Sequence, residues 1–251
     1  MNLSKIGRNI ARIDNNAKKV YSVATPEDNE EHELKMINQS VIKEGKFVYT
    51  PNNEGRDTIS VLGMSGSGKS YWIKQYCESY HKKHPKHEIF LFSEATEDPL
   101  FDGVSYIKRV DLNENVLSDP IEWTEFRDCL TVWDDIDAIK GSLKKFVFTL
   151  RDKLLKNSRK FGVSVVVSQH NYTDGHDSKT LLNESGTIVF FMGNNFNRSI
   201  QYLLSNYIGL NKEAIEKLKN TQTRATIYVK SYPQIIITDR MITTVNELSK
   251  K

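Results

Sequence analysis

Residues 63–70, Gly63-Met64-Ser65-Gly66-Ser67-Gly68-Lys69-Ser70, set glycines, a lysine and a hydroxyl in the spacing G-x-x-x-x-G-K-[ST]. Glycines at such positions let consecutive backbone N–H groups curl around phosphate oxygens without Cβ clashes. A helix starting just after the loop adds the positive end of its dipole. Lys69 reaches the β- and γ-phosphates of a nucleotide, and the Ser70 hydroxyl ligates Mg²⁺. The whole stretch, Gly63, Met64, Ser65, Gly66, Ser67, Gly68, Lys69 and Ser70, therefore reads as a cradle for ATP and its Mg²⁺. The pattern also occurs by chance in flexible surface loops, so its flanks decide. Thr58-Ile59-Ser60-Val61-Leu62 precedes it and a helix-forming stretch from Tyr71 follows. These are the strand and helix that the cradle requires.

Two further strand ends carry polar chemistry. Leu130-Thr131-Val132-Trp133 runs into the adjacent carboxylates Asp134 and Asp135. Acids at the C-terminal edge of a parallel strand stand where open α/β sheets bind ligands. Asp134 is expected to hold Mg²⁺, directly or through water. Asp135 is expected to accept a proton from the attacking water or to orient it, unless it and Asp137 only cap the next helix. The second strand, Val163-Ser164-Val165-Val166-Val167-Ser168, ends in Gln169 and His170. An amide donates to phosphate and accepts from water at once, so Gln169 is the expected sensor of the γ-phosphate. His170 suits a DNA contact or a plain loop position equally, and Asn171 is weaker than either.

A basic stretch, Arg151-Asp152-Lys153-Leu154-Leu155-Lys156-Asn157-Ser158-Arg159-Lys160, precedes the sensor strand. A solvated helix face accounts for most of it. In ring-forming ATPases, however, an arginine near this position reaches the γ-phosphate of the neighbouring subunit. Guanidinium suits that task because it is always charged and forks onto oxygens. Arg159 is the candidate finger, with Arg151 in reserve. The run His81-Lys82-Lys83-His84-Pro85-Lys86-His87 lacks an ordered ligand pattern and reads as a solvated helix end and turn.

The elements that must position these groups alternate along the chain. Strands are predicted at Lys46–Thr50, Thr58–Leu62, Glu88–Phe92, Val104–Val110, Leu130–Trp133, Val163–Ser168, Thr187–Met192, Ala225–Lys230 and Gln234–Thr238. Helices are predicted at Ser70–Lys83, Pro120–Arg127, Ser142–Phe161, Asn197–Tyr207 and Lys212–Asn220. Short β-branched runs alternating with helices predict an α/β fold, a central and mostly parallel sheet covered on both faces. The late strands close the domain. Residues 1–45 are polar, with an acidic stretch at Glu27–Glu33 and a short β-like piece at Lys19–Val23. They read as an extension that packs on the main domain or mediates assembly, ahead of an ATPase domain over 46–251.

Composition sets the outer bounds. A chain of 251 residues with 38% hydrophobic and 27% charged residues supports a real core and argues against wholesale disorder. A net charge of +3 permits a nucleic-acid partner without demanding one. Cys77 and Cys129 stand far apart and outside any CxxC pattern, which predicts reduced thiols. The first residues lack the apolar stretch of a signal peptide, and no apolar run approaches the ~18 residues of a membrane span. A soluble intracellular protein is expected.

With these residues in hand, the chain resembles the FtsK–HerA superfamily of P-loop (RecA/ASCE-like) ATPases, and within it the genome-packaging ATPases of giant viruses, poxviruses and virophages. The resemblance rests on the GMSGSGKS loop after a strand, the VWDD strand and the Arg159-Lys160-Phe161-Gly162 step into VSVVVSQH. It rests also on Asn183 followed by the Thr187–Phe191 strand, and it covers roughly residues 45–240. It implies a motor that hydrolyses ATP to pull double-stranded DNA into a preformed capsid. It further implies a homo-oligomeric ring, hexamer or pentamer, docked on a capsid vertex protein in the host cytoplasm or viral factory. Asp135 departs from the glutamate more usual in cellular members, which weakens its assignment as the base. The chain carries no recognisable DNA-recognition or nuclease domain. A nucleotide or small-molecule kinase would share the loop, but about sixty residues precede it here and the paired acids favour water as nucleophile. A helicase or replication-associated ATPase would share nearly all of the chemistry. A nucleotide-binding switch without catalysis is disfavoured by Lys69, Ser70, Asp134 and Gln169 occurring together.

Overall fold

The computed structural model describes residues 7–14, 21–25, 39–52, 55–113, 115–170, 175–192, 196–221 and 223–250, with the backbone alone at 21–25 and 175–177. The acidic stretch Glu27–Glu33, Lys19 and Val20 of the β-like piece, and Asn171 lie outside the described residues. Strands run in chain order as β1 Arg8–Asp14, β2 Tyr21–Thr25, β3 Gln39–Val41, β4 Lys46–Tyr49, β5 Thr58–Leu62, β6 Ile89–Ser93, β7 Ile107–Val110, β8 Leu130–Asp134 and β9 Ser164–Gln169. They continue as β10 Thr187–Phe190, β11 Thr226–Val229, β12 Ile235–Ile237 and β13 Met241–Thr244. The helices are α1 Lys69–Lys83, α2 Asn115–Ser118, α3 Gly141–Asn157, α4 Gly175–Glu184, α5 Arg198–Tyr202, α6 Lys212–Lys219 and α7 Val245–Leu248. The chain divides into two compact units, one of residues 54–185 and one of residues 1–53 with 186–251.

The 54–185 unit is an α/β layer built on five parallel strands in the order β5-β9-β8-β6-β7. Both faces of its inner strands are covered, so every residue of β8 and β9 is buried, the polar Thr131, Asp134, Ser164, Ser168 and Gln169 among them. The register places Leu62 opposite Gln169 and Ser93 opposite Asp134. That alignment puts the glycine loop, the acids and the amide at one edge of the sheet. Phe92 stacks on Trp133 at 3.9 Å between centroids, and Val147, Leu150, Leu154 and Leu155 of α3 join the same core. Each such fully buried side chain contributes about 1.5–3 kcal/mol.

Helix α1 buries Ile73, Tyr76, Cys77 and Tyr80, a stripe at i, i+3, i+4 and i+7. The Tyr76 hydroxyl ends that stripe on Asp57 Oδ2 at 2.8 Å. The helix stops at Lys83 because His84 precedes a proline and cannot hold the α conformation. Both thiols are free and buried, and burial pushes Cys129 up to about 12. The predicted long helix over Ser142–Phe161 is α3 followed by a tighter 3₁₀ turn at Ser158–Phe161. Arg56 serves the carbonyls that a helix end leaves open, donating to Leu154 O at 2.9 Å and Leu155 O at 2.6 Å. Its other bond reaches Ser158 Oγ at 2.8 Å.

The turn closes on Gly162 at φ +68°, a left-handed backbone, and a Cβ there would lie 2.2 Å from Asp128 Oδ1. Asp128 is exposed and its carboxylate can swing aside, so the left-handed backbone of Gly162 carries the cost. Gly162→Ala is expected to cost at least about 1–2 kcal/mol, the penalty of a left-handed L residue. A domain of this size then melts about 2–8 °C lower. An unchanged thermal midpoint would show that the turn accommodates a side chain.

The second unit holds an antiparallel sheet in the order β10-β11-β12-β13-β3, and a small sheet in the order β2-β1-β4. The late strands are antiparallel because residues 230–234 and 238–240 are too short for a parallel crossover. Strands β1, β3 and β13 and helices α2, α4 and α7 were not predicted. The predicted helix at Pro120–Arg127 shrinks to a 3₁₀ turn at Trp123–Glu125, held by reciprocal bonds between Glu122 and Glu125. The segment predicted as helix over Asn197–Tyr207 is α5 followed by a π-helical turn at Leu203–Tyr207. Among the described residues no helix is long and apolar enough to cross a membrane.

Candidate active site

The loop leaves β5 with Gly63 N–H bonded to Gln169 O at 3.1 Å, so it is anchored on the end of the neighbouring strand. Ser67 N–H donates back to Met64 O at 3.2 Å, closing a tight turn whose outer residues Met64, Ser65 and Gly66 face solvent. Gly68 takes φ +104°, which only glycine adopts readily, and α1 starts directly after it. No side chain caps this helix. Its first N–H groups therefore remain for an anion, which is the fit expected of a triphosphate cradle.

Lys69 is the buried cation of the cradle, only 5% exposed. Its Nζ lies 3.4 Å from Met64 O and 3.4 Å from His170 Nδ1. Burial lowers its pKa, with Asp135 and Asp134 acting in the opposite direction. Ser70 Oγ donates to Asp134 Oδ2 at 2.9 Å. Asp134 is 3% exposed, and burial raises its pKa against hydrogen bonding from Ser168 and Ser70. Among the described residues its second oxygen, Oδ1, is buried without a hydrogen-bond partner. An orphaned carboxylate oxygen is costly, and beside a hydroxyl it fits a hard divalent cation. Among the described residues no group of three or more His, Cys, Asp or Glu side chains is placed to hold a metal. A Ser–Asp pair completed by phosphates suits Mg²⁺, which keeps few protein ligands.

Asp135 turns the chain out of β8 in a left-handed conformation, φ +50°, with its N–H on Ser168 Oγ at 3.1 Å. Its exposed carboxylate meets His170 Nε2 at 3.1 Å. Asp137 lies in the following turn, where burial raises its carboxyl pKa. Gln169 is buried at the end of β9, its Nε2 donating to Ser178 Oγ at 3.1 Å. Among the described residues its Oε1, like Ser67 Oγ, has no partner. Thus Lys69, Ser70, Asp134, Asp135, Gln169 and His170 gather at one edge.

The arginines stand elsewhere. Arg159 precedes β9 and the site follows it, so roughly 20 Å of strand separates them at about 3.3 Å per residue. It is exposed, and among the described residues no ion pair involves it. Arg151 is buried, bonded twice to Asp152 Oδ1 (2.7 and 2.9 Å) and placed over the Phe148 face at 4.3 Å. Of the histidine run, His81 stacks on Tyr106 and His87 Nδ1 meets the Tyr80 hydroxyl at 3.0 Å. Asn183 lies in the last turn of α4. Two residues that touch the site went unpredicted. Ser168 is the polar residue inside an otherwise apolar strand end, a signal that was available. Ser178 belongs to α4, a segment too polar to show a helical stripe.

A strand, glycine loop and helix beside a buried acidic strand end make a P-loop nucleotide-binding fold. The chain belongs to the family of the uncharacterized protein V3 of the Sputnik virophage. The two are 33% identical over 242 residues, which span 94% of this chain and 95% of that protein. Among solved structures it is similar in fold to the genome packaging NTPase B204 of Sulfolobus turreted icosahedral virus 2 in complex with ATP-gammaS. That likeness has a TM-score of 0.50 at 19% identity, covering 74% of this chain and 98% of the other. No protein-family model matches the chain.

Proposed function

We propose that this protein is an ATP-hydrolysing motor that translocates viral double-stranded DNA into a preformed capsid. The observation that carries the reading is the Ser70–Asp134 bond with its orphaned carboxylate oxygen, set at the mouth of the glycine cradle beside buried Lys69 and Gln169. The loop N–H groups and Lys69 bind the triphosphate, and Ser70 and Asp134 hold Mg²⁺. The cation, when bound, neutralises charge on the β- and γ-phosphates. Asp135 orients the attacking water or takes its proton. Gln169 keeps its amide N–H₂ on Ser178 and presents an unpaired oxygen, suited to accepting from that water.

Packaging is favoured over other hydrolytic roles by the likeness to a viral genome packaging NTPase and by family membership with a virophage protein. In this reading the subunits form a homo-oligomeric ring, hexamer or pentamer, on a capsid vertex protein, within the host cytoplasm or viral factory. Residues 1–45 form an arm for packing or assembly and residues 46–251 the ATPase domain. A motor grips phosphates and not bases. Affinity for a DNA duplex is therefore expected to fall about 10³-fold or more between 50 and 200 mM salt, and to change little when the base sequence is scrambled. Titration of labelled duplexes at several salt concentrations measures both. Strong base preference, or binding indifferent to salt, would contradict the motor.

A further inference from the structure

Nothing in the proposed hydrolytic cycle uses His170, yet its imidazole stands between two groups that the cycle needs. Nδ1 lies 3.4 Å from Lys69 Nζ, and Nε2 lies 3.1 Å from Asp135 Oδ1. The tautomer with its proton on Nε2 satisfies both contacts, donating to the carboxylate and turning the Nδ1 lone pair to the ammonium. Each partner has reason to need the contact. Lys69 is buried and, before phosphates arrive, has only Met64 O and His170 Nδ1 as hydrogen-bond acceptors among the described residues. Asp135 has its backbone fixed by Ser168 in a left-handed turn, but its side chain projects into solvent, where His170 is the partner that restrains its rotamer. His170 is itself held at the end of β9, whose register with β5 and β8 is fixed by buried strand pairing.

We propose that His170 is a positioning residue, a latch that parks Lys69 against the loop in the nucleotide-free site and aims the Asp135 carboxylate. Triphosphate draws Lys69 away from Nδ1, while the Nε2 contact persists and keeps Asp135 directed. The latch rests on the reading of this site as an ATP hydrolase. It has two separable consequences. Parking Lys69 competes with phosphate and weakens binding, as a partly populated competent state does. Aiming Asp135 raises turnover, because small misplacements of a reacting group are costly.

Three variants separate the two arms, with equilibrium binding of a fluorescent, non-hydrolysable ATP analogue and kcat for ATP as readouts. His170→Gln puts its amide near the Nε2 position, and His170→Asn near the Nδ1 position. His170→Ala is expected to bind the analogue about three- to tenfold tighter, the scale of one hydrogen bond, and to turn over about ten- to a hundredfold slower. His170→Gln should bind as tightly as the alanine variant yet keep kcat within about twofold of wild type. His170→Asn should keep wild-type affinity and the slow turnover. A purely structural role would lower the melting temperature and move both parameters together in all three. Glutamine and asparagine variants that behave alike, or an alanine variant unchanged in both readouts, would overturn the latch while leaving the hydrolase reading intact. Wild-type protein that neither binds the analogue nor hydrolyses ATP would overturn the hydrolase reading and the latch with it.

Discussion

Lys69→Ala is expected to lower ATP turnover by at least about a hundredfold, the cost of losing one preorganised charge-stabilising donor, while leaving the fold in place. The lysine is the cation at the floor of the cradle, 5% exposed and held on a backbone carbonyl and an imidazole. Among the described residues no carboxylate pairs with it, and burial already lowers its pKa. Truncation therefore removes a desolvated charge together with some aliphatic packing, two changes that oppose each other in stability. The loop itself is set by Gly68, by the Gly63 bond to Gln169 and by α1, none of which uses the lysine side chain. Steady-state hydrolysis and a thermal melt check the two halves. Retained turnover would remove this loop from the chemistry. A collapsed melt would make the lysine a structural residue.

Arg159→Ala is expected to reduce hydrolysis by about 10³-fold or more in the assembled protein, the value of an arginine finger. The geometry decides how such an effect arises. Arg159 lies a full strand length from its own glycine loop, about 20 Å, far beyond the reach of its side chain. A catalytic contribution then acts on the site of a neighbouring subunit. It is exposed and beside Arg56, whose pKa is lowered by burial and then by the charge of Arg159, so it is free to meet an anion. Mixing Arg159→Ala with Lys69→Ala subunits should restore part of the activity, since each supplies what the other lacks. Mixtures no more active than their components would count against the finger. Arg151 is a poorer candidate, being buried on Asp152 and Phe148.

The cradle was legible in the sequence because its chemistry is local. Eight consecutive residues carry the turn, the charge and the hydroxyl, and the flanking strand and helix are strongly patterned. Asp134 and Gln169 were legible for a related reason, since each ends an apolar β-branched run and polar residues there are conspicuous. What the sequence withheld was pairing. That Leu62 faces Gln169, or that Ser93 faces Asp134, depends on strands far apart in the chain, and no local pattern encodes it. The same holds for His170, whose bridge exists only because β5, β8 and β9 end together. Strands β1, β3 and β13 were missed because each mixes polar and apolar residues, and α4 because Gly175–Glu184 has few apolar positions.

In the proposed motor, ATP hydrolysis at this site drives movement along DNA. The most direct measurement is the rate of ATP turnover by the purified protein with and without double-stranded DNA. Severalfold stimulation by duplex of any sequence, lost in Lys69→Ala, is the predicted result. Absence of turnover, or turnover that ignores DNA, would contradict the account.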